Sequence, residues 1–539
     1  MKIVKGMKVL LVLLLAGMMS ASCVREYKIE IFGTNDIHGA YFSKSYVGDK
    51  VFPSLSNLHY YVDSIRAVSG EDGVVLIDCG DNLQGSNASY YYNFEDTSGN
   101  PHLLSRIFNY MKYDAVVVGN HDLEPGHHVY DGVKEDFNGA YLAANAIDQK
   151  SGNCYFQEYT ILHKGGLDVA VLGFTNPNVK SWIAPEKYEG LDFVAISDMA
   201  QRLVDEVVKK ESPDVVVLAV HSGLGVDSVA GFENCAYYLA SNVKGVDVVM
   251  AAHDHRKTAK KFYNGEDSVL VVEAGSKLEH FSNITVSVKK RWCQVLDKQV
   301  SGVIVPTKGI PDSEEYNALF DEDYKRVRDF SNMPIGFLTS PLDMEFLMEK
   351  ESPYMKFIHQ LQLSQPGVDI SINAPLASKG VIPQGQLIFN DLFTLYRFEN
   401  LLYIVEMSGS EIESYLEAAY DKRVSGEGPL YNLDSAAGLI YTVSKSAPKG
   451  SRVNIVSMAD GSAFEKNKIY KVAMTSYRAS GAGGLLQEAG ISQESMNEKV
   501  VAVLPEIREL LYHSIMAQGE INPKLLDLDK KIGYWKFVK

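Results

Sequence analysis

The chain has 539 residues, more than the about 250 to 300 at which a single hydrophobic core stops growing, so we expect at least two domains. Hydrophobic residues make up 46% of the sequence and charged residues 22%, which is typical of a globular protein. The formal net charge of -16 argues against a polymeric nucleic-acid partner, since such a partner is bound through Lys and Arg. A small phosphorylated substrate stays open if metal ions supply the positive charge.

Residues 1–22 have the layout of an export signal. A Lys-bearing start leads into the apolar run Val9–Ala16, and small residues follow. That run is shorter than the roughly 20 residues of a membrane span, so we expect no transmembrane span in the mature chain. Cys23 resembles the anchored Cys of a bacterial lipoprotein, although Ser20 stands where Leu is usual. Lipidation of Cys23 and plain cleavage both remain open, and either predicts a periplasmic or surface location.

Short β-branched runs alternate with helical segments from Tyr27 to about Val305, which is typical of layered α/β architecture. An amphipathic helix is predicted over Asp198–Glu211. Runs such as VVVLAV are apolar at every position, which indicates strands buried on both faces. The predicted strands are Lys28–Phe32, Val74–Ile77, Ala115–Val118, Val169–Gly173, Val215–Val220, Val246–Ala251 and Val269–Val272.

The sequence changes character after residue 305, so we expect the first domain over residues 24–305. A strongly charged helical stretch, Asp312–Phe330, predicts a linker helix within residues 306–340. A second α/β domain is expected over residues 341–530, with a helix at Glu411–Tyr420 after the cap sequence MSGSE.

Five apolar runs end in Asp, Asn or His residues, at the strand ends where ligands of α/β sheets collect. Taken singly, each polar residue has an ordinary explanation as a helix cap, a turn former or a structural histidine. Five such ends on one layered sheet predict a metal site. The residues are Asp36 and His38 in IEIFGTNDIHG, Asp81 in VVLIDCGDNLQG, Asn120 and His121 in AVVVGNHDLEPG, His221 in VVVLAVHSG, and His253 and His255 in VDVVMAAHDH.

The mixture of Asp, Asn and His suits divalent Zn, Mn, Fe or Co, and the lack of a Cys set argues against a closed structural zinc site. Two such ions about 3.5–4 Å apart can hold both the attacking group and a phosphoryl oxygen. The predicted chemistry is therefore hydrolysis at phosphorus with two divalent metal ions as cofactors.

The motifs DIHG, GDNLQG, GNHD, HSG and HDH, in this order, resemble the calcineurin-like metallophosphatase domain of the bacterial periplasmic 5'-nucleotidase and 2',3'-cyclic-nucleotide phosphodiesterase family. The resemblance implies a four-layer αββα sandwich followed by a smaller α/β substrate-binding domain. It also implies two metal sites that share Asp81 as a bridge. One site would consist of Asp36, His38, Asp81 and His255, and the other of Asp81, Asn120, His221 and His253.

By the same resemblance, His121 is a catalytic group that acts on the phosphoryl group or the leaving oxygen. Relatives orient this His with an Asp three residues later, where this chain has Glu124. The longer Glu side chain leaves the geometry of the pair open. Asp122 is an alternative orienting residue, and local turn chemistry is its ordinary explanation.

Two segments of the second domain resemble the family's base-binding region. LYRFENLL is similar to the LYxYxN segment of the cyclic-phosphodiesterase branch, and VAMTSYRASGAGG is similar to the second base-binding segment. The resemblance implies that Phe398 and Tyr477 sandwich a nucleobase, worth about 1–3 kcal/mol per stacked base, with Asn373 lining the pocket. A core position is the alternative for Phe398.

The glycine-rich segment with an Arg that 5'-nucleotidases carry is replaced here by NAPLASKG. Lys379 supplies the only positive charge there, and a solvated loop position is its alternative. We therefore expect a nucleotide substrate, with the balance toward cyclic phosphodiesterase and 3'-nucleotidase activity. A metallophosphatase for nonnucleotide esters and a surface binding protein with an idle metal site are the rival hypotheses.

Overall fold

The structure is a computed structural model that describes residues 24–183, 185–265, 267–344, 352–375, 380–396, 400–426, 433–481, 483–526 and 529–539. The predicted signal segment and Cys23 lie outside these ranges. The chain divides into two compact units, one ending at Val327 and the other beginning at Arg328. Among the described residues, no helix combines the length and the apolar character needed to cross a membrane.

Among its described residues, the first unit contains fourteen strands, which include all seven predicted from the sequence. They are β1 (Arg25–Thr34), β2 (Val74–Asp78), β3 (Ala115–Val117), β4 (Ala140–Leu142), β5 (Ala146–Asp148), β6 (Tyr159–Lys164), β7 (Leu167–Phe174), β8 (Leu191–Phe193), β9 (Val215–Val220), β10 (Val248–Met250), β11 (Lys257–Asn264), β12 (Asp267–Ala274), β13 (His280–Arg291) and β14 (Gln294–Pro306).

The α-helices of this unit lie mostly between consecutive strands. They are Leu55–Ser69, Asn87–Tyr90, Leu103–Met111, Asn120–Leu123, His127–Asp136, Ile196–Glu211, Ala236–Asn242 and Glu314–Leu319. Short 3-10 helices cover Glu71–Gly73, Pro177–Ser181 and Pro185–Tyr188, and a π-helical turn covers Tyr91–Glu95.

Two six-stranded sheets form the body of the first unit. Their strand orders are β14-β13-β1-β2-β3-β4 and β11-β12-β10-β9-β7-β6. Strands β1 to β4 run parallel, as do β7, β9, β10 and β12, while β6, β11, β13 and β14 are antiparallel to their neighbours. Parallel central strands need buried faces on both sides, and β9 is buried at every residue, as the VVVLAV run predicted.

Three apolar clusters show how the layers stack. One joins side chains of both sheets, such as Ile31 and Val217, and so lies between them. The second contains residues of the first sheet and of the helices Leu55–Ser69 and Leu103–Met111. The third contains residues of the second sheet and of the helix Ile196–Glu211. The order is therefore helix, sheet, sheet, helix, and the four-layer αββα sandwich is confirmed.

The stretch Asp312–Phe330 is largely helical as predicted, but it does not form a single helix, and its role as a linker remains a prediction. Two helices occur instead, Glu314–Leu319 and Asp321–Ser331, because Phe320 leaves the helical conformation at φ -102 and ψ 14. The Phe320 ring is buried with the apolar cluster of the first sheet. Three acidic residues then begin the second helix, where they favour its N-terminus. One of them, Asp323, is held by two hydrogen bonds from Arg106, of 2.7 and 2.8 Å.

The second unit is a smaller α/β structure, and the part of it that the structure describes contains thirteen strands. They are β15 (Pro334–Leu338), β16 (Leu342–Asp343), β17 (Ile370–Asn373), β18 (Val381–Ile382), β19 (Gly385–Ile388), β20 (Leu401–Ser408), β21 (Ser435–Ala437), β22 (Leu439–Ser444), β23 (Val453–Met458), β24 (Ile469–Thr475), β25 (Val500–Glu506), β26 (Glu520–Ile521) and β27 (Gly533–Val538). Its α-helices are Pro353–Leu363, Asp391–Leu395, Gly409–Ser425, Ser476–Ala479, Leu485–Glu488, Gln493–Glu498 and Ile507–Gln518.

The largest sheet of the second unit has the strand order β21-β17-β24-β20-β25. Strands β17 and β24 are parallel neighbours, with Ser371 beside Ala473. The helix Gly409–Ser425 contains the predicted Glu411–Tyr420 and begins with a capping box in which Ser408 and Glu411 bond each other's backbone N–H. Its buried face packs on this sheet in a separate apolar core.

Candidate metal centre and catalytic pair

All the polar residues predicted at strand ends lie at one edge of the sandwich. Asp36 and His38 follow β1, Asp81 follows β2, and Asn120 and His121 follow β3. In the second sheet, His221 follows β9, and His253 and His255 follow β10. Two hydrogen bonds tie the edges together, from His221 Nδ1 to the Cys79 carbonyl at 2.7 Å and from the His253 N–H to Asp36 Oδ2 at 3.0 Å.

Five of these residues have a left-handed backbone, which side chains other than glycine rarely adopt. They are Asp36 (φ 48), His38 (φ 48), Asp81 (φ 64), His253 (φ 88) and His255 (φ 56). Such a conformation costs on the order of 1–3 kcal/mol each and persists where the surroundings hold it. The loops are held by backbone bonds from Asp36 N to Gly80 O and from His38 N to Asp81 O, both 2.9 Å.

Asp36, His38 and His255 form the first cluster. Each offers one ligand atom, and these atoms all lie within 4.8 Å of one another. The Nε2 atoms of the two histidines are 3.2 Å apart, and His255 Nε2 is 3.4 Å from Asp36 Oδ1. His38 Nδ1 bonds Gln84 Oε1 at 3.0 Å, which directs Nε2 into the cluster. The side chain of His255 is 45% exposed, so this cluster opens to solvent.

Asp81, His221 and His253 form the second cluster, again with ligand atoms within 4.8 Å. His221 Nε2 is 3.1 Å from Asp81 Oδ2. The Asn120 amide oxygen is 3.0 Å from His221 Nε2 and 3.0 Å from His253 Nδ1, so all four residues predicted for this site converge. Because the Cys79 carbonyl can only accept, His221 carries its proton on Nδ1 and presents Nε2 to the cluster. Asp81 groups with this cluster, and its bridging role remains a prediction.

Charge is paired inside the centre. Burial opposes ionisation, but His221 holds the pKa of Asp81 well below its usual range. Burial lowers the pKa of His221 and the Asp81 carboxylate raises it, so that the pKa of His221 lies at about 9. Burial also lowers the pKa of His38 to about 4, which leaves that imidazole neutral. Borderline divalent ions bind ionised carboxylates and neutral imidazoles, so the donor set fits two such ions, and an ion at the second cluster must displace a proton from His221.

Asp122 holds the loops that carry Asp81 and Asn120. Its two carboxylate oxygens accept backbone N–H bonds of 2.7 to 2.9 Å from Gly119, Asp81, Asn82 and Leu83. Burial raises the pKa of Asp122, whereas these N–H donors favour the ionised form. Both of its oxygens are thus occupied by backbone groups.

His121 and Glu124 form a pair beside the clusters. His121 Nδ1 is 2.7 Å from Glu124 Oε1, so the Glu side chain reaches the ring despite its extra methylene. His121 Nε2 lies 4.0 Å from Asp81 Oδ2, and its backbone N–H donates to Asp81 Oδ1 at 2.8 Å. The His121 ring is 5.5 Å from that of His38. This ring therefore borders both clusters without joining the ligand atoms of either.

Several side chains that contact the centre were not predicted, and three of them touch its histidines. Gln84 bonds His38, Glu233 Oε1 lies 3.0 Å from His253 Nε2, and the Trp182 ring stacks on the His253 ring. Gln84 lies inside the GDNLQG motif, which was a usable signal. Glu233 and Trp182 lie in irregular loops, where no periodicity or strand end marks them.

Asn373 and Tyr477 lie in the second unit at neighbouring strand ends. Asn373 ends β17, and Tyr477 lies in the helix that follows β24 directly. Asn373 is 1% exposed, and within the described ranges its side-chain N and O have no hydrogen-bond partner. Tyr477 is 37% exposed. Phe398 and Lys379 lie outside the described residues.

Both units match known families. Residues 29–257 match the family of calcineurin-like phosphoesterases, and residues 334–489 match the 5'-nucleotidase C-terminal domain. The chain is a calcineurin-like metallophosphatase with a 5'-nucleotidase C-terminal domain. It therefore belongs among the metal-dependent phosphoric ester hydrolases.

Relatives of this metallophosphatase differ in the activities they are named for. The 2',3'-cyclic-nucleotide 2'-phosphodiesterase/3'-nucleotidase of Salmonella typhimurium is 25% identical over 89% of this chain and 84% of its own. The 5'-nucleotidase of Vibrio vulnificus is 23% identical over 85% and 86% of the two chains. The trifunctional nucleotide phosphoesterase YfkN of Bacillus subtilis is 23% identical over 93% of this chain, which spans only 39% of that protein.

Solved structures share the fold along nearly the whole chain. A Staphylococcus aureus protein assigned as a 5'-nucleotidase superposes with a TM-score of 0.73 at 21% identity, covering 95% of this chain and 100% of its own. The 5'-nucleotidase precursor of Thermus thermophilus gives a TM-score of 0.62 at 18% identity, with coverages of 95% and 100%. At such identities the likeness establishes the fold alone.

Gly119→Ala should disrupt the second cluster of the metallophosphatase. A Cβ at Gly119 would lie 2.2 Å from Asp81 Oδ1 and 2.3 Å from the Asp81 backbone N, so Asp81 must move. Misplacing an active-site group by about 1 Å costs about 100-fold in rate, which we expect for hydrolysis of an aryl phosphate, together with lower bound metal. Gly132→Ala is the control, since a Cβ there meets nothing within 4 Å. Equal effects of the two substitutions would contradict the prediction.

Metal uptake by the metal-free enzyme should strengthen as the pH rises. The pKa of His221, about 9, means that its imidazole is protonated at neutral pH, whereas a metal ion binds only the neutral ring. Each displaced proton changes the affinity by about tenfold per pH unit below that pKa. Competition between the protein and a chelator for Co²⁺ measures this slope. His221→Asn should reduce the slope of Co²⁺ affinity against pH. His513→Asn, at an exposed position, is the control and should leave that slope unchanged. A wild-type affinity that does not change with pH would refute the prediction.

Proposed function

We propose that this metallophosphatase hydrolyses nucleotides, as a 5'-nucleotidase, as a 2',3'-cyclic-nucleotide phosphodiesterase and 3'-nucleotidase, or as both. The observation that carries the proposal is the pair of adjacent His and Asp clusters with the His121–Glu124 pair at their border. The names of the relatives, which span these activities, support nucleotide substrates.

The ligand assignment is part of the proposal. Asp36, His38 and His255 would hold one divalent ion, and Asn120, His221 and His253 the other, with Asp81 between them. When bound, the two ions supply positive charge that attracts the phosphoryl group and orients the attacking water. Zn, Mn, Co and Fe all suit this donor set.

His121 is proposed as the catalytic group of the protein itself. Glu124 accepts from Nδ1–H at 2.7 Å, which leaves Nε2 directed away from the carboxylate. When the ring also carries a proton on Nε2, that N–H can stabilise charge on a phosphoryl oxygen or donate its proton to the leaving oxygen. Glu124 therefore acts through the ring, by fixing its tautomer and orientation.

The second unit is proposed to bind the base. Asn373 offers a buried amide without partners among the described residues, and a nucleobase edge can satisfy both its N–H and its carbonyl group. Tyr477 follows the adjacent parallel strand and is accessible for stacking. Phe398, proposed as the second stacking ring, rests on its sequence segment alone.

A panel of substrates tests the proposal and separates its alternatives. We expect turnover of 5'-, 3'- or 2',3'-cyclic nucleotides well above that of sugar phosphates, with metal analysis on the same sample. Preference for sugar phosphates would favour a nonnucleotide phosphatase. Metal-replete protein that leaves even an aryl phosphate intact would refute enzymatic function and favour a binding protein with an idle metal site.

His121→Ala is expected to lower kcat by about 10²- to 10⁴-fold, the usual contribution of a general acid or base. The bound metal should stay at the wild-type level, because the ring is not assigned as a ligand. Glu124→Gln should give a smaller loss, since Gln can still accept from Nδ1–H. A variant that loses metal together with activity would instead assign His121 to the ligands.

Tyr477→Ala should raise KM for nucleotides by the equivalent of about 1–3 kcal/mol of lost stacking and leave KM for an aryl phosphate unchanged. Phe398→Ala combined with Tyr477→Ala should add to the effect. Asn373→Ala should weaken nucleotide binding without lowering Tm, because within the described ranges the amide makes no bond that the substitution would break. Tyr534→Ala, at an exposed position of the same unit, is the control. Unchanged nucleotide kinetics in all variants would refute base binding.

We also propose that the chain is exported, on the basis of residues 1–22 and Cys23. The full-length protein should appear in the periplasmic or membrane fraction, and deletion of residues 2–22 should retain it in the cytoplasm. If Cys23 is lipidated, Cys23→Ala releases the protein from the membrane fraction. A cytoplasmic full-length protein would show that the proposal is wrong.

A further inference from the structure

The imidazole of His253 is enclosed by three side chains. Its Nδ1 lies 3.0 Å from Asn120 Oδ1, and its Nε2 lies 3.0 Å from Glu233 Oε1. The Trp182 ring stacks on its face, with centroids 5.2 Å apart and planes inclined by 24°. Both ring nitrogens and one face are therefore occupied.

Glu233 selects the tautomer of His253. An ionised carboxylate can only accept, so Glu233 holds a proton on Nε2, and Nδ1, which lies beside the Asn120 oxygen in the second cluster, is the nitrogen left for a metal ion. A histidine without such a partner distributes its proton between both nitrogens. The contact thus prepares Nδ1 for a metal ion.

One buried residue connects the loops that carry Glu233 and Trp182. The Asn176 side chain donates to the Glu233 carbonyl at 3.2 Å. Its oxygen accepts from the Asn178 N–H at 3.0 Å and so caps the 3-10 helix Pro177–Ser181, which ends at Trp182. Ser222, next to His221, also donates to the Glu233 carbonyl, at 2.8 Å. These bonds hold both loops against the centre.

The backbone of His253 lies in the loop after β10, with φ 88 and its N–H donating to Asp36 Oδ2 at 3.0 Å. These features place the backbone but leave the side-chain torsions open. The ring orientation therefore depends on the groups that touch the ring. Trp182 is half-buried against the core of the first unit, which makes it a rigid surface for that ring.

We propose that Trp182 and Glu233 are positioning residues for His253, one fixing the plane of the imidazole and the other its tautomer, and that together they set metal affinity at the second cluster. The proposal rests on the proposed role of His253 as a ligand.

Metal affinity is the first test. Glu233→Ala should weaken Co²⁺ binding at one of the two sites by about 10- to 100-fold, the usual effect of removing the partner of a ligand histidine. Glu233→Gln, whose amide oxygen can still accept from Nε2–H, should restore part of the affinity. Glu186→Ala, at an exposed position of the same unit, is the control. Competition with a chelator measures all four proteins.

Fluorescence gives a readout that does not depend on catalysis. The chain has three tryptophans, Trp182, Trp292 and Trp535. Co²⁺ held by a ring that stacks on Trp182 should quench its emission, because energy transfer to the ion falls steeply with distance. Trp182→Phe should abolish most of the quenching, and Trp292→Phe and Trp535→Phe should retain it. Trp182→Leu should weaken Co²⁺ binding more than Trp182→Phe.

The outcomes separate this inference from the proposed function. Quenching and a Glu233-dependent affinity in a protein that hydrolyses no phosphoester would support the inference and refute the function. An enzyme that hydrolyses nucleotides but keeps wild-type Co²⁺ affinity in Glu233→Ala would overturn the inference. Co²⁺ binding that leaves the emission of Trp182 unquenched would overturn it as well. If Glu233→Ala fails to fold, the Co²⁺ affinities of Glu233→Gln and Trp182→Leu are measured instead. Wild-type Co²⁺ affinity in both variants would overturn the inference.

Discussion

The carboxylate of Asp81 is the group around which the centre is arranged. At 1% exposure, an uncompensated charge would be strongly unfavourable. In the metal-free chain it is balanced by His221 at 3.1 Å and by the N–H of His121 at 2.8 Å. Bound divalent ions would take over that balance. The same charge thus accounts for the raised pKa of His221 and for the attraction of cations into the cleft.

The two-sheet sandwich holds in place the groups that surround the Asp81 carboxylate. Parallel strands in both sheets deliver their loops to one edge, and the apolar layer between the sheets keeps these edges in register. The bond from His221 to the Cys79 carbonyl crosses from one sheet to the other at the centre itself. Asp122 adds four backbone bonds within the first sheet's loops. Stability of the fold and geometry of the site therefore depend on the same contacts.

Local patterns were sufficient to predict seven strands of the first unit and the polar residues that follow them, because apolar runs and strand-end residues are properties of short segments. The break in the charged helical stretch at Phe320 was not predicted, since burial of Phe320 is a tertiary effect that periodicity does not show. Glu233 and Trp182 escaped prediction for the same reason. They reach His253 through loops that are held by the buried residue Asn176, and no sequence pattern shows that connection. The base-binding roles proposed for Asn373 and Tyr477 rest on the resemblance of their segments and on their adjacent strand ends.

The left-handed backbone at five of the proposed ligands sets two energetic effects against each other. Glycine adopts that conformation without strain, so a mutation to Gly at any of these positions relieves backbone energy while it removes a side chain. The same side chains hold the loops, as in the pairing of Asp81 with His221 at 3.1 Å and the bond from the His253 N–H to Asp36 at 3.0 Å. The strain of the loops is therefore carried by the residues that are proposed to bind the ions, and the loss of one of them would relax its loop and remove its contacts together.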